Sequence, residues 1–194
     1  VHVPKQVDVE QRRAEITDAA ARLIERSGLG AATIRDVAAE AGLTTGSVTH
    51  YFADKRELLL HTFLASLGGR RSRRSIVGDD PMVALRATLE GALPADDDRR
   101  RHWMVCVAFC AQAAGDDELS KAQRDAYREF HSYVSEQVAR SGIASGHRAA
   151  IIAEHLITQV DGVAIQALFD PSSWPADRQL DSLDGALRAV MTGR

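Results

Sequence analysis

Three sets of residues in this chain carry usable chemistry. Between positions 35 and 55 stand small hydroxyls, an imidazole, a phenol and two cations: Arg35, Thr44, Thr45, Ser47, Thr49, His50, Tyr51 and Lys55, with Gly46 among them. Such groups hydrogen-bond to base edges and phosphates, and a glycine lets a backbone approach its partner closely. Cys106 and Cys110 lie one helical turn apart with His102 a turn earlier, a spacing for metal binding, or for plain packing in so apolar a run. The third set is aromatic and polar: Phe63, Trp103, Phe109, Phe130 and Tyr133, with His131, His155 and Gln159. They suit the lining of a small-molecule pocket as a group, while any single aromatic suits plain core packing better. The seven histidines are dispersed, and no carboxylate pair or glycine-rich phosphate loop stands at a spacing that catalysis uses. The chain reads as a non-enzyme without a cofactor or a resident metal.

The first set is positioned by two short helices and a turn. Thr33 is a good N-cap with Asp36 three residues on, and Ile34, Val37, Ala38 and Ala41 follow as one apolar face. Gly42 ends that helix, because the residue past a helix terminus often needs positive φ. Thr44 or Thr45 caps a second helix carrying Ser47 to Tyr51, with Val48 and Phe52 turned to the core. Two helices joined through a glycine turn make a helix-turn-helix, whose second helix can enter a major groove. A helix from Val9 to Ser27, stopped by Gly28, braces the pair after a loose arm over Val1–Asp8. Its Arg12 and Arg13 suit phosphate or solvent equally.

The run Thr33 to Lys55, with Val37-Ala38, Gly42-Leu43, His50-Tyr51-Phe52 and Asp54-Lys55, resembles the DNA-binding domain of TetR-family repressors, and the match extends from about Arg13 to Leu67. The resemblance implies a head over 1–53, a ligand-binding and dimerisation body over 54–194, and a helix over 54–67 linking the two. It implies contact of Arg35, Thr44, Thr45, Gly46, Ser47, Thr49 and His50 with bases or backbone, and of Tyr51 and Lys55 with phosphates. It implies a homodimer reading a palindromic operator and released by a small-molecule inducer. The body resembles the BetI-like branch, through Trp103 with Phe109, Asp117-Glu118-Leu119, Asp161-Gly162 and Pro171-x-x-Trp174-Pro175. The best-known member of that branch responds to choline, which makes a cationic inducer a candidate for aromatic faces.

The whole reads as all-α with about nine helices, because Ala, Leu, Arg and Glu dominate and β-branched residues nowhere alternate. Gly68-Gly69 is expected to kink or end the linking helix. Arg70 to Arg74 reads as a solvated helix end. Further helices are expected from Asp80-Pro81 to Leu93, from Arg99 to Ala114 in the middle of the body, and from Asp117 to Ser141. His147 to Phe169 is apolar over more than half its circumference, more than one packing face requires. With the last helix it should supply a dimer interface through Ile152, Leu156, Val160, Val163, Leu180, Leu183 and Leu187.

Composition agrees with a soluble globular chain, 45% hydrophobic and 26% charged. Residues 1–75 carry 12 Lys and Arg against 9 Asp and Glu, and the rest 12 against 18, so a mildly basic head precedes an acidic body. No apolar signal region opens the sequence, and the longest apolar run is about half of the roughly 20 residues a membrane span needs. A cytoplasmic location is expected. Two other readings remain: a helical small-molecule or metal sensor without DNA binding, and a multidrug-efflux regulator with broad cationic or lipophilic ligands.

Overall fold

The computed structural model describes residues 6–74 and 80–192. Among these the chain is all-helical, with nine helices: α1 (Gln6–Ala31), α2 (Ile34–Glu40), α3 (Thr45–Tyr51), α4 (Lys55–Arg74), α5 (Pro81–Glu90), α6 (Asp97–Ala113), α7 (Asp117–Arg140), α8 (Gly146–Phe169) and α9 (Ala176–Thr192). Two compact units result. One holds Val1–Gly68 with Met104–Ser120, the other Gly69–Trp103 with Lys121–Arg194. The division falls inside α4, α6 and α7.

The first unit is built on α1, whose Ile16, Ala19, Ala20, Leu23 and Ile24 are all buried at helical spacing. Gly28 takes φ 74°, a left-handed conformation that breaks the helix there. Val37 and Ala38 of α2, Val48 of α3, and Phe52 just past it complete the inner face of the head. Leu58, Leu59, Phe63 and Leu67 of α4 are buried in this unit, as are Val105, Ala108 and Phe109 of α6. Phe63 and Phe109 stack face to face, centroids 4.0 Å apart and planes 7° from parallel. Contrary to the expectation at Gly68-Gly69, α4 runs through both glycines to Arg74. Two glycines cost a helix about 1 kcal/mol each, less than the burial of Phe63 and Leu67 returns. The side chains of Arg70–Arg74, and the arm at residues 1–5, lie outside the described residues.

In the second unit, Asp80 caps α5 by accepting from the N–H groups of Met82 and Val83, with Pro81 in the first turn. Arg86 of α5 grips both carboxylate oxygens of Asp184 on α9, at 2.8 and 3.2 Å, and Glu90 at 2.7 Å. The side chain of Arg100 donates to the last carbonyls of α8, those of Ala167 and Leu168, which have no partner within the helix. The indole N–H of Trp103 donates to the Ala92 carbonyl at 2.7 Å.

Helix α8 buries Ile152, Ala153, Leu156, Ile157, Val160, Val163, Ala164, Ala167 and Leu168 within its own unit. Leu183 and Leu187 of α9 are buried with it, and Leu180 is half-buried. The residues expected at a dimer interface are therefore mostly consumed by the chain's own core. The outward side of α8 is a different row: Ile151, His155, Thr158, Gly162, Ile165 and Phe169. Helix α6 also departs from expectation. It buries Trp103, Val105, Ala108 and Phe109, but Cys110, Ala111 and Gln112 are exposed, and Cys106 is half-buried. The absence of charge from Trp103 to Ala111 reflects small residues on the open side, not burial all round.

Candidate nucleic-acid interface

The sequence fixes both ends of α2. The Asp36 N–H donates to the Thr33 hydroxyl at 3.2 Å, and that hydroxyl donates back to the Asp36 carboxylate. At the other end Gly42 sits at φ 67°, its N–H donating to the Ala39 carbonyl at 3.1 Å while Leu43 N–H donates to Ala38 at 2.8 Å. This is a Schellman closure, and only glycine enters it without a Cβ penalty. Thr44, rather than Thr45, then caps α3, accepting from the Ser47 N–H at 3.1 Å and sharing a 2.9 Å hydrogen bond with the Ser47 hydroxyl.

Seven residues long, α3 separates cleanly into two sides. Val48 and Phe52 are wholly buried, whereas Thr45, Gly46, Thr49 and His50 are exposed and Ser47 is half-buried. Arg35 is exposed in the first turn of α2. Tyr51 and Lys55 are half-buried at the end of α3 and the start of α4. The hydroxyls of Thr44 and Ser47 are already engaged in the cap, and Thr49 donates to the Gly46 carbonyl at 3.2 Å.

One functional group was not legible as such. Arg13 reaches across from α1, donating to the Tyr51 carbonyl at 2.7 Å, lying 5.0 Å from the centre of the Phe52 ring and 3.7 Å from Glu57. It satisfies a carbonyl at the end of α3 and so sets that helix in place. Free solvation does not describe it. Its neighbour Arg12 pairs locally with Glu15. A second brace joins α1 to α2: Glu40 accepts from Arg22 at 3.0 Å and from Arg26 at 2.7 Å. The start of α4 is closed by Asp54, which accepts from Glu57 N–H at 2.8 Å, while Glu57 accepts from Ala53 N–H at 2.7 Å.

The residues considered for a small-molecule site are divided. Phe63 and Phe109 stack on each other in the first unit. Trp103 and Phe130 are buried and Tyr133 half-buried in the second. His155 and Gln159 are exposed on the outer side of α8, Gln159 donating to Ser182 at 3.0 Å, so they do not point inward with the aromatics. Pattern reading passed over Gln137. It is 97% buried by area, four residues beyond Tyr133 on α7, and its side-chain oxygen accepts no hydrogen bond among the described residues. Among the described residues no group of three or more His, Cys, Asp and Glu is placed to hold a metal, and no helix is long and apolar enough to cross a membrane.

A capped helix-turn-helix with one fixed polar face is the arrangement that a class of DNA-binding regulators uses. Residues 16–62 match the bacterial regulatory proteins of the tetR family, and residues 81–192 match the C-terminal part of BetI-type transcriptional repressors. An HTH-type transcriptional regulator BetI from Burkholderia mallei is 32% identical over 165 residues, covering 83% of this chain and 84% of its own length. A crystal structure of a transcriptional regulator from Rhodococcus sp. Rha1 superposes with a TM-score of 0.85 at 29% identity, over 93% of this chain and 96% of its own. A regulator from Saccharomonospora viridis, solved in complex with choline, gives a TM-score of 0.81 at 21% identity, over 92% and 96%. The chain belongs to the TetR family of transcriptional regulators, in its BetI-like branch.

The α1–α2 brace has a pH signature. Hydrogen bonds first from Arg26 and then from Arg22 hold the Glu40 carboxyl below the usual glutamate range. A depressed folded pKa means the stabilisation is present above the unfolded value, about 4.5, and is lost as pH falls through the lower folded one. Glu40→Gln should therefore flatten part of the acid-side decline in melting temperature below about pH 4.5, by a small amount because the pair is exposed. An acid limb identical to that of the wild type would show that the brace contributes nothing to folding.

Proposed function

We propose that this regulator is a dimeric repressor that places α3 of each copy in successive major grooves of a palindromic operator and lets go when a small organic cation binds its body. The observation that carries the DNA side of this reading is the exposed polar face of α3, with Arg35 beside it and Tyr51 and Lys55 at its edge. Arg35 is the candidate for base reading, since a guanidinium meets guanine through two parallel hydrogen bonds. Thr45, Thr49 and His50 face the groove with it, and Gly46 allows the backbone close. Tyr51 and Lys55 supply a hydroxyl and an ammonium for phosphates, which fix register without reading sequence.

A second copy of the chain is the partner that the outer row of α8 fits. Positions 151, 155, 158, 162, 165 and 169 alternate steps of four and three, the repeat of a helix–helix seam, and Gly162 in their midst permits close approach. Phe169 is 78% exposed at its end, and Met191 of α9 is also exposed. Paired across a twofold axis, α8 and α9 of two copies make a four-helix contact. Two heads then present recognition helices about 34 Å apart, one turn of duplex.

For the effector, Trp103, Phe130 and Tyr133 of the second unit offer aromatic faces, and the unsatisfied oxygen of Gln137 offers an acceptor on the same side of α7 as Phe130 and Tyr133. A quaternary ammonium bearing a hydroxyl satisfies both, which makes choline the first probe, as does its presence in the Saccharomonospora viridis relative.

On duplexes from DNA flanking its own gene, Arg35→Ala should lose the preference for operator over scrambled sequence. Lys55→Ala should weaken both alike and reduce the salt slope by about one. Retained discrimination in the Arg35 variant removes it from base reading. Phe169→Glu combined with Ile165→Glu should convert a dimer to a monomer by light scattering, and an intact dimer places the interface elsewhere. Choline should raise the melting temperature in a concentration-dependent way, and Gln137→Leu should reduce that rise; no shift at millimolar choline rejects this effector class.

A further inference from the structure

The start of α4 is tied to a corner distant in sequence. The guanidinium of Arg56 donates through Nε to one oxygen of Asp116, through Nη2 to the other at 2.9 Å, and through Nη2 to Glu118 at 2.7 Å. Asp116 is held in turn, because its Oδ1 accepts from the N–H groups of Glu118 at 3.1 Å and Leu119 at 3.0 Å and so caps α7. This fork-to-fork arrangement is the geometry in which an arginine–carboxylate pair is most directional. It lowers the Asp116 carboxyl below the usual range and raises Arg56.

The clamp does not stand alone. Seven residues along α4 from Arg56 lies Phe63, and seven residues back from Asp116 lies Phe109, the two stacked rings. The segments thus run antiparallel with two fastenings, about 10.5 Å apart along α4. One fastening would leave α4 able to pivot or slide, whereas two fix both its axial position and its rotation. The first two turns of α4 are in turn bound to the head. Glu57 accepts from Ala53 N–H and pairs with Arg13, and the Phe52 ring lies 5.5 Å from His61. All of these residues belong to the first unit.

We infer that Arg56, Asp116 and Glu118 form a positioning clamp for DNA binding, fixing the first turn of α4 where Lys55 and the end of α3 meet the duplex. The inference rests on the DNA-binding reading above. A simpler electrostatic view makes the opposite prediction. Arg56, next to Lys55 and 43% exposed at its side chain, would itself bind a phosphate, and two carboxylates beside it would only repel DNA. Removing those carboxylates should then tighten binding. For a clamp it loosens binding, although negative charge has been taken away.

The full-length chain is titrated against operator duplex by fluorescence anisotropy over a salt series, with melting temperatures recorded alongside. Three proteins are compared with the wild type: Arg56→Gln, the pair Asp116→Asn with Glu118→Gln, and all three changes together. Asn keeps the capping ability of position 116. The clamp predicts operator affinity about three- to fivefold weaker in each, no worse in the triple variant than in either parent, with the salt slope unchanged. Tighter or unchanged binding in the Asp116→Asn, Glu118→Gln protein overturns the inference, as does a slope reduced by about one in Arg56→Gln. Should the wild type bind no duplex, the function proposed above fails, and the clamp is judged on amide exchange. Faster exchange at Leu58, Leu59 and Leu60 in the carboxylate variant supports it, and unchanged exchange overturns it.

Discussion

A helix of seven residues cannot hold itself together in water, and the head depends on how this one is held. Burial of Val48 and Phe52 fixes the rotation of α3, so the face opposite them is the face left open to solvent. The Thr44 cap fixes where the helix begins, and Arg13, bonded to the Tyr51 carbonyl, fixes where it ends. Packing, cap and cross-brace together convert a sequence with little intrinsic helicity into a rigid rod of defined orientation. Recognition of base edges requires that rigidity, since a hydrogen bond to a base is specific only if the donor arrives at a set place.

The same economy governs the rest of the first unit, where contacts far apart in sequence do the fastening. Arg13 meets Tyr51, Arg22 and Arg26 meet Glu40, and Arg56 meets Asp116 and Glu118. Each pair is partly exposed and worth little as a stability term by itself. Their value lies in direction: a guanidinium joined at two points resists rotation as well as separation. Arginine, which lysine would not replace in this role, is the residue found at every one of these joints.

How much of this was legible follows from the range of each signal. Thr33 with Asp36, Gly42, Gly28 and the Asp54–Glu57 pair act within a few residues, so the sequence displays them, and the helices lie within a few residues of where those signals put them. The outward face of α8 was not legible. Apolar residues cover more than half of that helix, and packing against the other helices decides which row is consumed: the row of Ile152, Leu156 and Val160 turned inward, leaving Ile151, Ile165 and Phe169 outside. Periodicity alone cannot choose between two apolar rows. His155 and Gln159 were misplaced for the same reason, because a polar residue on an apolar helix reads equally as an inward ligand group or an outward one. Arg13 and Arg56 find partners 38 and 60 residues away, which no local pattern records.

The central claim is that the face of α3 opposite Val48 and Phe52 enters the major groove twice per operator. Hydroxyl-radical footprinting of the operator complex, combined with methylation interference at guanine N7, tests it most directly. The account predicts two protected patches centred one helical turn apart on one side of the duplex, with interference at guanines in both major grooves between them. A single protected patch, or a footprint indifferent to guanine methylation, would contradict it.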